Sequence, residues 1–253
     1  SYNEDEGILE VTIRAAKMLD YPKEKLRIHL LDDGGTDQKI NAENPVSAAT
    51  AKQRRQDLQA LCKRLDITYH TRAKNEFAKA GNVNSAIQNT TGDLIVILDA
   101  DHVPTSDFLD RTVPWMLKNE KVFLVQTPHF MANPDPVERN YFSAFTRMPS
   151  ENDMFYGTIQ KGLDYWGSSF FCGSAALMRR KHLDLVGGIS GDSITEDAET
   201  ALDLHKMGYE SVYVDRPMVS GLAPETFDAF IQQRMRWAQG MTQILLLKKP
   251  FKA

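Results

Sequence analysis

Cysteine is scarce: Cys62 and Cys172 are the two in 253 residues. They lie far apart without metal-ligand spacing, which excludes a disulfide scaffold, and reduced thiols fit a cytosolic setting. Basic charge is not in excess either. A formal net charge of −4 gives no whole-surface reason to expect a nucleic-acid partner, which normally needs a basic face. No run approaches the roughly 20 apolar residues that span a bilayer, and no signal peptide opens the chain. Several chemistries lack their motif: there is no G-x-G-x-x-G, Walker A, H-E-x-x-H, G-x-S-x-G or C-x-x-C, and the six histidines do not cluster. The missing glycine fingerprint counts against a dinucleotide-binding domain. What remains is an ordinary globular composition, 42% hydrophobic and 25% charged, in a chain long enough to bury a core. It begins at Ser1 and stops soon after QILLLKK. We therefore expect one domain, residues 1–253, of a larger protein whose membrane spans lie outside this chain.

The hydrophobic periodicity alternates between strand and helix. Residues 5–20 read as a helix with Ile8, Thr12, Ala15 and Leu19 on one face, and residues 50–66 as another built on Leu58, Leu61, Cys62 and Leu65. LRIHLLDDGG, ITYHT, LIVIL and VFLVQT are strand-like, with helices between them. LIVIL, without a polar residue, suits a strand buried on both faces. The predicted fold class is α/β, with a mainly parallel central sheet and helices on both faces. PHFMANPDP, with three prolines, reads as a loop, SSFFCGSAALM and SVYV as further strands, and about Glu225 to Lys248 as a long helix.

In open α/β sheets the ligand crevice lies outside the carboxyl ends of the strands. Two acidic clusters fall there, Asp32-Asp33 before Gly34-Gly35, and Asp99 and Asp101 after LIVIL. Asp99 and Asp101 suit a hard divalent cation held with phosphates, or cap the next helix. DDGG either recognises a ribose or base or makes a plain turn. Lys79, before a helix, meets a diphosphate or solvent. In Thr195-Glu196-Asp197 the threonine reads as a cap; a carboxylate here, if it faces the crevice, deprotonates a hydroxyl. Gln233, Arg236 and Trp237 project from one helix face, as a sugar-diphosphate surface or as core packing.

Taken in order, Tyr2-Asn3-Glu4, Asp32-Asp33-Gly34, Lys79-Ala80-Gly81-Asn82, Asp99-Ala100-Asp101, Thr195-Glu196-Asp197 and Gln233-Arg234-Met235-Arg236-Trp237 resemble the processive family 2 glycosyltransferases of GT-A fold. DADHVP, QTPHF, FFCGS and TEDAET between them resemble the bacterial cellulose synthases. The resemblance implies inverting transfer of glucose from UDP-glucose to the 4-hydroxyl of a β-1,4-glucan. It assigns Tyr2, Glu4 and Asp32 or Asp33 to the uridine end and Lys79, Asp99, Asp101 and Arg236 to the diphosphate. Asp99 and Asp101 would bind Mg²⁺ or Mn²⁺, and Asp197 would be the general base. Cys172, Gly173, Gln233 and Trp237 would border the glucan. It further implies an accessory subunit, a place on the cytoplasmic face of the bacterial inner membrane, and control by cyclic di-GMP through a PilZ domain outside these residues. Synthases of N-acetylhexosamine polymers share the same motifs, and a non-catalytic UDP-sugar-binding subunit is the alternative from another class.

Overall fold

The computed structural model describes residues 1–140 and 151–249. Three sheets carry the fold. A parallel pair joins β1 (His29–Leu31) and β2 (Thr68–His70). The central sheet has the order β3-β7-β5-β8, from Leu94–Ile97, Ala176–Arg179, Val122–Gln126 and Glu210–Tyr213. A third joins β4 (Val103–Pro104), β9 (Val219–Gly221) and β6 (His129–Met131). The expected parallel pairing holds for β1 with β2, β5 with β8 and β6 with β9, but β7 runs antiparallel to both its neighbours. The architecture is thus α/β with mixed sheets.

The periodicity places most helices and misses some details. The first helix is Glu6–Lys17, started by the Asp5 carboxylate, which accepts from the Gly7 amide. It buries Leu9, Thr12, Ile13 and Ala16, not the face through Ile8 and Ala15 that the sequence suggested. With apolar residues at 8, 9, 11 and 13, two adjacent faces compete, and the larger stripe wins. The second long helix begins at Pro45, earlier than expected, because Asn44 caps it and proline is tolerated at its first position. PHFMANPDP is not simply a loop: it contains β6, and Pro136 opens a short helix, Pro136–Asn140. SSFFCGSAALM is a strand only from Ala176. Gly173 and Ala175 have φ of +82° and +52°, so the chain must turn before pairing begins.

Two apolar clusters lie against the central sheet. One contains Phe123, Leu124, Phe171, Met178 and Leu204; the other contains Phe108, Met116, Val125, Leu177 and Val219. β5 is the strand buried throughout. β3, the expected one, is buried only at Ile97, because its outer edge borders a crevice rather than another strand. A third cluster, with Leu9, Ile13, Leu30, Leu58 and Leu61, holds the first two helices to β1.

Candidate active site

The crevice has a volume of about 830 Å³ and separates β1 from β3. Its lining is largely aliphatic and includes Tyr2, Glu4, Asp33, Lys79, Asp99, Asp101 and Arg236. The strand ends therefore meet as the alternating pattern predicts.

The two aspartates of DDGG do different things. Asp32 is fully buried, and its carboxylate accepts from Tyr69 Oη at 2.8 Å, Gly34 N at 3.0 Å, Ser1 Oγ at 3.1 Å and Arg54 Nε at 3.2 Å. Three of these donors meet Oδ1 and Tyr69 meets Oδ2, and the residue lines no part of the crevice. Asp33 does line it, and is gripped by Arg72 through two hydrogen bonds of 2.7 Å. This bidentate geometry is the strong form of a charge-assisted pair. The first glycine admits the protein's own chain and side chains. A Cβ on Gly34 would stand 2.2 Å from the Tyr2 carbonyl and 2.3 Å from Arg54 Nε. Arg54 also donates to the Glu4 carbonyl at 2.7 Å, so it pins the Ser1–Glu4 segment to Asp32. The Glu4 carboxylate turns back onto the Tyr2 and Asn3 amides, at 2.6 and 3.2 Å. Tyr2 is half exposed, with the Lys39 ammonium 3.3 Å above its ring.

On the opposite side Lys79, near the start of helix Ala78–Gln88, forms an ion pair with Asp99 and donates to the Gly173 carbonyl at 2.8 Å. Burial works against both charges, yet each is held charged by the other: the Lys79 ammonium keeps the Asp99 carboxyl below its usual range, and Asp99, with Glu196, raises the lysine. The Asp99 amide donates to Ser174 Oγ at 2.8 Å, and that hydroxyl is 2.7 Å from Nδ1 of buried His102. His102 is thus a structural loop residue, packed where a Cβ on Gly221 would lie 2.3 Å from its ring.

Asp197, in the first turn of helix Glu196–Lys206, reaches the same place. A Cβ on Gly173 would meet Asp197 Oδ2 at 3.1 Å and Lys79 Nζ at 3.4 Å. Asp197, Lys79, Asp99 and Gly173 therefore converge on one spot. Burial, reinforced by Glu196, pushes the Asp197 carboxyl up to about 6. Thr195 does not cap the helix as expected; its hydroxyl is buried without a partner against Gly240. Cys172 is placed by Gln126, which accepts from its amide at 3.0 Å, and by Gln160, 3.0 Å from its sulfur. Burial pushes its thiol well up, so it stays protonated.

Helix Phe227–Lys248 splits its motif. Arg236 lines both the crevice and a shallow hollow beside it, and Gln233 lines the hollow. Trp237 lines neither: it is 41% exposed, with the Arg234 guanidinium 4.4 Å over its ring. Arg54, Arg72 and Ser174 were not singled out from sequence.

Among the described residues no three histidine, cysteine or acidic side chains gather as a metal site. Asp99 and Asp101 still fit a hard cation shared with a diphosphate, since two carboxylates face the crevice and phosphate oxygens would complete the shell. No described helix is long and apolar enough to cross a membrane.

Comparison with known proteins shows the family and the fold. The sequence profile of Glycosyl transferase family group 2 matches residues 94–252. The chain is 43% identical over 250 residues to the UDP-forming cellulose synthase catalytic subunit of Pseudomonas fluorescens, covering 99% of this chain and 31% of that protein. It is 42% identical over 250 residues to cellulose synthase 1 of Komagataeibacter xylinus, covering 99% of this chain and 15% of that protein. In structure it is similar to the mannosyltransferase PcManGT from Pyrobaculum calidifontis, solved with GDP-Man and Mn²⁺ (TM-score 0.67, 23% identity, 100% of this chain and 65% of that one). TarS of S. aureus, solved with UDP-GlcNAc, is similar at a TM-score of 0.56 and 13% identity, over 95% of this chain and 63% of that one.

Proposed function

Because the chain belongs to glycosyltransferase family group 2, we propose that it transfers glucose from UDP-glucose to the 4-hydroxyl of a growing β-1,4-glucan, as the catalytic part of a cellulose synthase. It spans about a third of the first relative's length, so the full activity includes parts beyond these residues. The observation that carries the reading is the convergence of Asp197 and Gly173 on Lys79 and Asp99, two residues that line the crevice.

On this reading the uridine end lies toward Tyr2, Glu4 and Asp33, while Asp32 shapes the wall from behind. Lys79 and Arg236 attract the diphosphate, which gains negative charge as the sugar leaves, so both lower the barrier electrostatically. Asp99 and Asp101 would hold Mg²⁺ or Mn²⁺ with that diphosphate, and the bound cation offsets leaving-group charge. Asp197 takes the proton of the acceptor hydroxyl as it attacks the anomeric carbon opposite UDP, which turns an α-linked donor into a β-linked product. A base poised near pH 6 is charged at neutral pH yet still basic enough to accept that proton. Gly173 leaves room for the acceptor beside Cys172, while Gln233 and the exposed Trp237 offer an amide and an aromatic face to the glucan. The same reading places the protein at the cytoplasmic face of a bacterial inner membrane, with an accessory subunit and cyclic di-GMP control acting through other parts.

The test is a titration of UDP-glucose and UDP-N-acetylglucosamine, with Mg²⁺ or Mn²⁺, into wild type and Asp101→Ala. We expect preference for UDP-glucose, dependence on the cation, and at least about a tenfold loss in the variant, as one lost charged contact predicts. Binding indifferent to both cation and mutation would overturn the metal assignment, and preference for the N-acetylated donor would overturn the glucan.

A further inference from the structure

The carboxylate of Glu199 is fully buried two residues beyond Asp197, on the same helix. Its Oε2 accepts from the Ser193 amide at 2.8 Å, and its Oε1 lies 2.9 Å from Lys248 Nζ. That ammonium also contacts Asp203 Oδ2 at 2.8 Å and Asp192 Oδ2 at 3.8 Å. Lys248 is the last residue of the helix that carries Gln233 and Arg236, and its side chain is 19% exposed.

Two other contacts tie this helix to the segment leading into Asp197. Gly240 lacks the Cβ that would stand 2.4 Å from Thr195 Oγ1, so helix and loop touch. Gln243 Oε1 accepts from the Ile194 amide at 3.0 Å. At 3.6 residues per turn Gly240 and Gln243 fall on the same side of the helix as Arg236, while Lys248 lies about 120° round from it and reaches the segment with its long side chain. One helix thus lines the crevice at residue 236 and contacts residues 192–199 through its final turns.

We propose that Lys248 is a positioning residue for the transfer: its pairing with Glu199 fixes the Asp197-bearing segment against the helix that presents Arg236. Stability alone does not require this arrangement, since apolar residues of similar volume serve a core at least as well as a buried ion pair. A charged pair does supply one defined register between the two helices, which apolar packing would leave free to slide. Displacing a reacting group by about 1 Å costs on the order of 100-fold in rate. The proposal rests on the reading of Asp197 as the base.

The test compares Lys248→Met, Lys248→Arg, Glu199→Gln and the Lys248→Met/Glu199→Gln pair in the protein at full length. Turnover is followed as UDP release from UDP-glucose, and amide exchange is followed over residues 192–199. Lys248→Met should lower kcat by about 10-fold to 100-fold, leave the donor KM within about twofold, and speed exchange at the Ser193 and Ile194 amides. Lys248→Arg should recover most of the rate. If Lys248→Met does not fold, the pair removes the stranded carboxylate, and it should fold while keeping the kcat defect. Wild-type kcat in any folded Lys248→Met form, or unchanged exchange over 192–199, would overturn the proposal. If instead Asp197→Asn retains turnover, the base assignment fails, and the exchange readout still decides whether the clamp exists.

Discussion

The two sides of the crevice use the same residue types in opposite ways. On the β1 side each aspartate has its own arginine, Arg54 for Asp32 and Arg72 for Asp33, and the pairs are almost wholly buried. On the β3 side one lysine serves Asp99 directly and lies close to Asp197, which among the described residues has no ion-pair partner of its own. Matched charges build a wall. Under-matched ones leave a carboxylate whose proton is poised to move.

The largest effect should appear on the under-matched side. Asp197→Asn keeps the shape and removes the base, so turnover should fall by about 10²–10⁴-fold, the usual worth of general-base help. UDP affinity should be unchanged in calorimetry; a matching loss of UDP binding would return Asp197 to the donor wall.

On the matched side the damage should be to folding. Arg54→Met leaves Asp32 buried without its cation and should destabilise the fold by about 3–5 kcal/mol in denaturant titrations. If the variant stays as stable as wild type but binds UDP poorly, the contrast between the two walls disappears.

The smallest effect is a gain. Asp197 titrates near 6 in the fold against an ordinary value of 3.8, so the folded state binds the extra proton between those values. Its stabilising protonated form is complete below about pH 4 and lost as pH rises through 6. Asp197→Asn should therefore be more stable than wild type at pH 7, by about 1–3 kcal/mol for a shift of this size. The gain should vanish at pH 4, and a gain equal at both values would point to packing instead.

Much of the site was legible because its acids sit where apolar runs stop. LIVIL ending on Asp99 and Asp101 marks a strand tip whatever surrounds it, and helix spacing puts Gln233 and Arg236 on one side. The division of labour between Asp32 and Asp33 was not legible, since neighbours on a strand differ only in which face they meet. Their arginines left a clue. Arg54 lies at i+3 from Ala51 and i−4 from Leu58, on the apolar stripe of its own helix, where a charge needs a buried partner. Nothing local predicts that LIVIL borders an open crevice. That depends on β7 inserting antiparallel between β3 and β5, a pairing across some 80 positions of chain.

The Lys79 ammonium bridges the Asp99 carboxylate and the Gly173 carbonyl before any nucleotide arrives. A leaving diphosphate would therefore meet an internal rival for its own counter-ion. If Lys79 holds the diphosphate as proposed, Asp99 would reclaim the lysine as the spent nucleotide lets go, and the contact that taxes donor affinity would also speed product departure. If the chain adds sugar after sugar to one glucan as proposed, fast reset of the donor site would matter more than tight grip.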